Sequence, residues 1–168
     1  MSEQESGRLS RGVMVTYSLP SLGLGAMGLV FSIYLMKFAT DVLLIAPAVM
    51  GGLLAASRLW DAFSDPMVGY WSDRTRLPMG RRRSWMLFAG IPVAIGVIMM
   101  WSPPASLSVL GIVIWMGVSL FIYETASTAF VVPHGALGVE LTSSYHERTR
   151  LFAYRHVIMA LGLFLGVG

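Results

Sequence analysis

Five apolar stretches set the rhythm of the chain, at 17–39, 42–71, 84–101, 107–132 and 151–168, with short polar segments between them. Each approaches or exceeds the roughly 20 helical residues that cross about 30 Å of hydrocarbon. None alternates with period two. The stretches are therefore expected to be membrane-spanning helices, which satisfy their own backbone hydrogen bonds where no water is present. A polar tail at 1–16 and polar loops at 72–83 and 133–150 complete the pattern. The first span is too long for a signal-peptide core and lacks a small-residue cleavage site, so it is expected to be retained. The fifth ends on "LGLFLGVG" without a polar terminus. A helix stopping there would leave end groups in hydrocarbon, so the span reads as truncated.

Composition strengthens this picture. The chain is 55% hydrophobic and 12% charged, with mean hydropathy +0.68, whereas a soluble domain carries about 25% charged residues. Eighteen Gly and twelve Met suit close-packed membrane helices. With no Cys there is no disulfide framework and no thiolate metal site. Three scattered histidines offer neither a nucleophile–base pair nor a metal cluster, so an enzyme is not expected. His134 reads as a helix-end or loop contact. The net charge of +3 would suit nucleic-acid binding in a soluble protein, but here the basic residues flank apolar spans.

Those residues set the expected orientation. Arg8 and Arg11 precede the first span, Arg74, Arg76, Arg81, Arg82 and Arg83 follow the second, and Arg148, Arg150 and Arg155 follow the fourth. The opposite side shows only Lys37, and "SPPAS" is uncharged. The positive-inside rule then predicts a multi-pass protein of the cell (inner) membrane with its N-terminus in the cytoplasm.

The second span breaks the apolar pattern with Arg58, Asp61 and Asp65. At 100° per residue they fall within about 60° on one helix face. Each costs roughly 2.5–3.5 kcal/mol at a helix centre in lipid, so such groups face a polar cavity or a partner. One reading is an internal salt bridge of Arg58 with Asp61, the second carboxylate pairing another helix. The other is functional: Arg58 neutralises one acid, Glu124 in the fourth span adds another, and an unpaired carboxylate in a low-dielectric site takes a proton or recruits a cation. Hard cations prefer oxygen ligands, so Asp61 and Asp65 are expected to bind Na⁺ or H⁺, with no other cofactor. Around Glu124, "FIYETASTAF" forms a polar belt of Tyr123, Thr125, Ser127 and Thr128. Its role is either hydrogen bonding across helices or solute contact. Of the aromatic residues, Tyr123 is the candidate for stacking on a sugar ring. Glycines in "SLGLGAMG" and "GLFLG" suit close helix approach.

The stretch "DAFSDPMVGYWSDRTRLPMGRRRSW" resembles a signature of the glycoside–pentoside–hexuronide cation symporters, a branch of the major facilitator superfamily. "VPHGALGVELTSSYHERTRLFAYR" is similar to that family's segment joining helices four and five. The resemblance implies an all-α integral membrane fold, here the N-terminal portion, about five transmembrane helices, of a twelve-helix carrier. It implies cation sites at Asp61 and Asp65, with Asp61 also contributing to solute recognition. Gly69, Asp73, Gly80, Arg81, Arg82 and Arg83 match the loop that latches the two halves in one conformation. Solute contacts are expected from Arg58, Tyr123, Glu124, Ser127 and Arg155. The acids that bind galactosides on helices one and four of the family are Gly25 and Ser127 here, with Glu124 one turn from the latter.

The expected function is cation-coupled symport of a sugar or glycoside. Its expected partners are that small-molecule solute, membrane lipid and the missing C-terminal helices, and not nucleic acid. The alternatives are symport of a non-sugar solute such as a lipid, and a non-transporting fragment or scaffold. Because the chain has no Cys, single-cysteine labelling tests the orientation. A membrane-impermeant maleimide should label Ser106→Cys in intact cells, and Met79→Cys only after permeabilisation. The reverse pattern would invert the topology.

Overall fold

The computed structural model describes residues 8–166. Within them the regular structure is helical. Residues 1–7 of the expected tail, and 167–168 of the expected fifth span, lie outside the described residues. The chain divides into two compact units, Met1–Lys37 with Leu137–Gly168, and Phe38–Ala136.

In the first unit, α1 (Arg11–Ser18) begins where the Ser10 hydroxyl accepts the Val13 N–H at 3.3 Å, filling one of the donors a helix start leaves open. Pro20 then opens α2 (Pro20–Val30) at a position where its missing N–H costs nothing. A wider π-helical turn, Phe31–Leu35, continues it. The helical run thus starts at Arg11, ahead of the expected span 17–39. It packs on the later helix Tyr145–Leu165. The packing is dictated by glycine. A Cβ on Gly25 would strike the Met159 carbonyl, one on Gly162 the Leu22 carbonyl, and one on Gly166 the Ala26 carbonyl. Residues 22 and 26 on one helix face 162 and 166 on the other, and each pair is four apart, so one face of each helix is flat enough for backbone contact. Gly23 and Gly28 meet nothing within 4 Å. Met14, Tyr17 and Leu151 form the buried cluster near the start of these helices.

In the second unit a further π-helical turn, Phe38–Val42, precedes a bend in which Leu44 takes φ 57. The second helix therefore begins at Pro47, not at 42. That helix, α3 (Pro47–Arg74), has 28 residues, roughly 42 Å at 1.5 Å per residue, and overruns a hydrocarbon core. It is followed by α4 (Arg81–Trp101) and α5 (Val109–Glu140); the Tyr145–Leu165 helix is α6. Helix α5 extends through Pro133 to Glu140, so part of the expected loop 133–150 is helical. The reason is local: apolar residues and glycine continue beyond Val132, and the first loop signals are Thr142 to Ser144. His134, expected at a helix end, lies inside α5, fully buried and stacked on Phe130 at 5.6 Å.

Packing within this unit is the inverse of a soluble core. The buried face of α3 carries Met50, Ser57, Ser64, Val68 and Ser72, while Leu59, Phe63 and Tyr70 are exposed. The buried serines donate to carbonyls one turn back: Ser57 to Leu54 at 2.9 Å, Ser72 to Gly69 at 3.0 Å and Ser119 to Trp115 at 2.7 Å. Their hydroxyls are thereby satisfied within the helix, and their small volume permits close approach. Gly96 of α4 sits against the Tyr123 backbone of α5, where an added Cβ would fall at 2.9 Å. Arg11–Leu35, α4 and α5 are long and apolar enough to cross a membrane by length and composition. The charges of α3 and α6 keep those two helices out of that set.

The glycine contacts generate a differential prediction. Gly25→Ala should lower the thermal midpoint of the detergent-solubilised protein, with an overpacking cost of about 1–3 kcal/mol. Gly28→Ala should leave it within about 0.5 kcal/mol, as for an uncommitted surface position. Equal midpoints would show that the α2–α6 contact is not close-packed.

Candidate functional site

The ionisable residues expected on the second helix occupy α3, and α5 brings their partners. The Arg58 guanidinium lies 3.1 Å from Asp61 Oδ2, one turn on, and 3.6 Å from Glu124 Oε1 of α5. One cation is therefore shared by two carboxylates. The other oxygen of Asp61, Oδ1, is buried with no hydrogen-bond partner. Asp65 accepts a hydrogen bond at 3.0 Å from the hydroxyl of Thr128, itself buried. Glu124 is within electrostatic reach of Asp61, Arg58 and Asp65. The cluster thus holds three carboxylates and one guanidinium.

Helix chemistry adds an oxygen here. Pro66 lies inside α3 immediately after Asp65. It has no N–H, so the Ala62 carbonyl, four residues back and between the two aspartates, loses its usual intrahelical donor. Carboxylate, hydroxyl and carbonyl oxygens are the ligands that hard cations select.

Tyr123 is placed beside Ser127, Glu124 and Arg58. The Arg58 side chain is 73% exposed, against 20% for Asp61 and 13% for Glu124, and Asp65 is also exposed. A charge at this depth is not stable against acyl chains, so this face belongs to protein or to a water-filled cavity. Arg155 belongs to the other unit, where it bonds Tyr17. Trp60 donates to the Thr125 hydroxyl at 2.9 Å and packs on Phe121 at 4.7 Å. Trp115 donates to the Met99 carbonyl at 2.8 Å. Both indoles join helices.

The pairing of Thr128 with Asp65 was not assigned from sequence. Position 128 is visible as part of a polar belt, but its partner depends on how α5 is rotated against α3. Had Pro66 been read as freeing the Ala62 carbonyl, the extra oxygen would have been legible.

At the arginine-rich end, Gly80 adopts φ 94, a conformation that disfavours any side chain, and turns the chain into α4. Arg82 is buried, forms an ion pair with Asp73 and donates to the Ser72 hydroxyl at 3.0 Å. Arg81 and Arg83 are exposed. Gly69 makes only an ordinary contact with Val132.

Among the described residues the regular structure is helical, with helices long and apolar enough to cross a membrane, a shared guanidinium and a partly unsatisfied acidic face. The family model for MFS/sugar transport proteins matches residues 16–167, and the chain belongs to that family. It is 35% identical over 139 residues to an uncharacterized symporter, sll1374, of Synechocystis, covering 80% of this chain and 26% of that protein. It is 32% identical over 130 residues to the inner membrane symporter YicJ of Escherichia coli, covering 77% and 28%. It is 30% identical over 142 residues to the sodium-dependent lysophosphatidylcholine symporter 1 of Xenopus tropicalis, covering 83% and 26%. The matched region is thus only about a quarter of each relative's length.

Arg82 is the arginine that this geometry singles out in the loop. Arg82→Ala should lower the thermal midpoint in detergent by several degrees, because it removes a buried side chain that pairs with Asp73 and donates to the Ser72 hydroxyl. Arg83→Ala should leave the midpoint nearly unchanged. If the two variants melt alike, the Arg82 pair contributes nothing to the fold.

Proposed function

We propose that this chain supplies the cation-binding helices of a cation-coupled symporter. One observation carries the reading. Arg58 is divided between Asp61 and Glu124, leaving a buried oxygen of Asp61 without a partner, while Asp65 is met by a neutral hydroxyl. Three acids against one base leave room for positive charge. Na⁺ would be held by Asp61, Asp65, the Thr128 hydroxyl and the Ala62 carbonyl; a proton would occupy one of the carboxylates. Binding that cation changes the charge Arg58 experiences, and through Arg58 the charge on Glu124. That link couples the ion to a solute bound near Glu124, Tyr123 and Ser127.

The family description favours a sugar or glycoside as solute. A second reading, a lysolipid, is favoured by the relatives named as lysophosphatidylcholine symporters. The name of those relatives also favours Na⁺ over H⁺. Alternating access needs two opposed bundles, so the working carrier includes helices beyond those described here, and Gly69, Asp73, Gly80 and Arg81–Arg83 are proposed to latch against them.

Uptake by membrane vesicles bearing the complete carrier tests this, using labelled glycosides and lysophosphatidylcholine under an imposed Na⁺ or H⁺ gradient. Asp61→Asn and Asp65→Asn should each abolish gradient-driven uptake. Thr128→Ala should raise the half-saturating cation concentration about ten- to a hundredfold, since a hydrogen bond to a charged group is worth about 1.5–3 kcal/mol, and Thr128→Ser should restore it. Cation dependence that survives in both Asn variants would place the site elsewhere. Uptake of no solute under either gradient would favour the scaffold reading.

A further inference from the structure

A groove of about 600 Å³ opens in the second unit between α4, α5 and the chain that leaves α3, and none of the three carboxylates lines it. Trp85, Phe88 and Pro92 form one wall, and Phe121, Ile122 and Ala129 the other. Three hydroxyls also line it, at Thr75, Ser84 and Thr125, and each is engaged elsewhere. Thr75 donates to the Trp71 carbonyl at 2.9 Å and accepts from the Trp85 indole at 2.8 Å. Ser84 donates to the Gly80 carbonyl at 2.8 Å. Thr125 donates to the Phe121 carbonyl at 2.7 Å and accepts from Trp60. The groove thus presents hydrocarbon and aromatic carbon, and a sugar or an ion finds no polar group to bind.

Its length points to the occupant. Lining residues run from Ser84 to Pro92 on α4 and from Phe121 to Ala129 on α5, roughly 12 Å along each axis at 1.5 Å per residue. That is close to one leaflet of a hydrocarbon core about 30 Å thick. One end is marked by charge: Thr75 and Leu77 of the lining bracket Arg76, and Arg83 directly precedes Ser84. Both arginines are exposed. Trp85, hydrogen-bonded at this end, is a residue type that settles at the headgroup level.

We propose that this groove binds one acyl chain of an anionic phospholipid, whose phosphate lies against Arg76 and Arg83, as a bound lipid rather than a transported solute. Apolar walls select the chain, and the basic end selects the anionic headgroup.

Native mass spectrometry of the protein released from mild detergent tests this, with phosphatidylglycerol and phosphatidylcholine offered in competition. The protein should retain phosphatidylglycerol preferentially. The Arg76→Gln/Arg83→Gln double variant should still bind lipid but lose that preference by roughly tenfold. Ala129→Phe, which fills the groove, should reduce retention of both lipids. Because a filled groove can also disturb folding, the unaltered protein is photolabelled with a phosphatidylglycerol carrying a diazirine on its acyl chain. Labelled peptides should fall within 84–92 and 121–129. Equal retention of the two lipids, or labels confined to other helices, would overturn the proposal. The second outcome would leave the groove to a protein segment of the complete carrier.

Discussion

Hydrocarbon solvates neither a peptide group nor a charge, and the rest of this structure depends on that constraint. It requires helices for every span, favours hydroxyls that bond to a carbonyl one turn back, as Ser57, Ser72 and Ser119 do, and makes each ionisable side chain at depth answerable to a protein partner. Arg58 meets the last requirement in the least self-contained way available. It is shared between Asp61 on its own helix and Glu124 on another, and the group as a whole remains short of positive charge. A purely structural ion pair would have closed the account with one acid. Two further carboxylates, Asp65 and Glu124, lie in the same cluster, and among the described residues Asp65 is met only by the Thr128 hydroxyl.

The same solvent explains the packing. With lipid outside, burying a large apolar side chain gains little, and helices associate instead by backbone proximity and interhelical hydrogen bonds. The buried face of α3 consequently includes three serines, Ser57, Ser64 and Ser72, while Leu59 and Phe63 are exposed. Gly25, Gly162 and Gly166 bring α2 and α6 together in the first unit, and Gly96 brings α4 against α5 in the second. The charged site inherits its precision from the α3–α5 relation, where Trp60 to Thr125 and Thr128 to Asp65 fix rotation and height together.

Family membership and the cluster bear on different questions. The match across residues 16–167 establishes the kind of fold, while relatives named for lysophosphatidylcholine stand beside a family described by sugar transport. The oxygen-rich face around Asp61 and Asp65 is a property of this chain's own geometry and does not depend on either name. The apolar groove along α4 and α5 is a separate feature, walled by hydrocarbon and aromatic side chains.

Much of this was legible in the residues. The apolar runs marked helices, and the spacing of Arg58, Asp61 and Asp65 placed three charges on one face, because helical periodicity is a local property. Boundaries were less legible: α3 starts at Pro47 after a bend at Leu44 and α5 continues to Glu140, since proline and glycine alone do not say whether neighbouring helices will support the backbone. Only the tertiary structure decided that Gly25 is a contact and Gly28 is not, that Arg82 is the buried arginine of its cluster, and that Thr128 answers Asp65 while Glu124 claims part of Arg58. Each of these depends on the rotation and axial offset of one helix against another, and those are set by the sum of many small packing contacts that no single stretch of sequence contains.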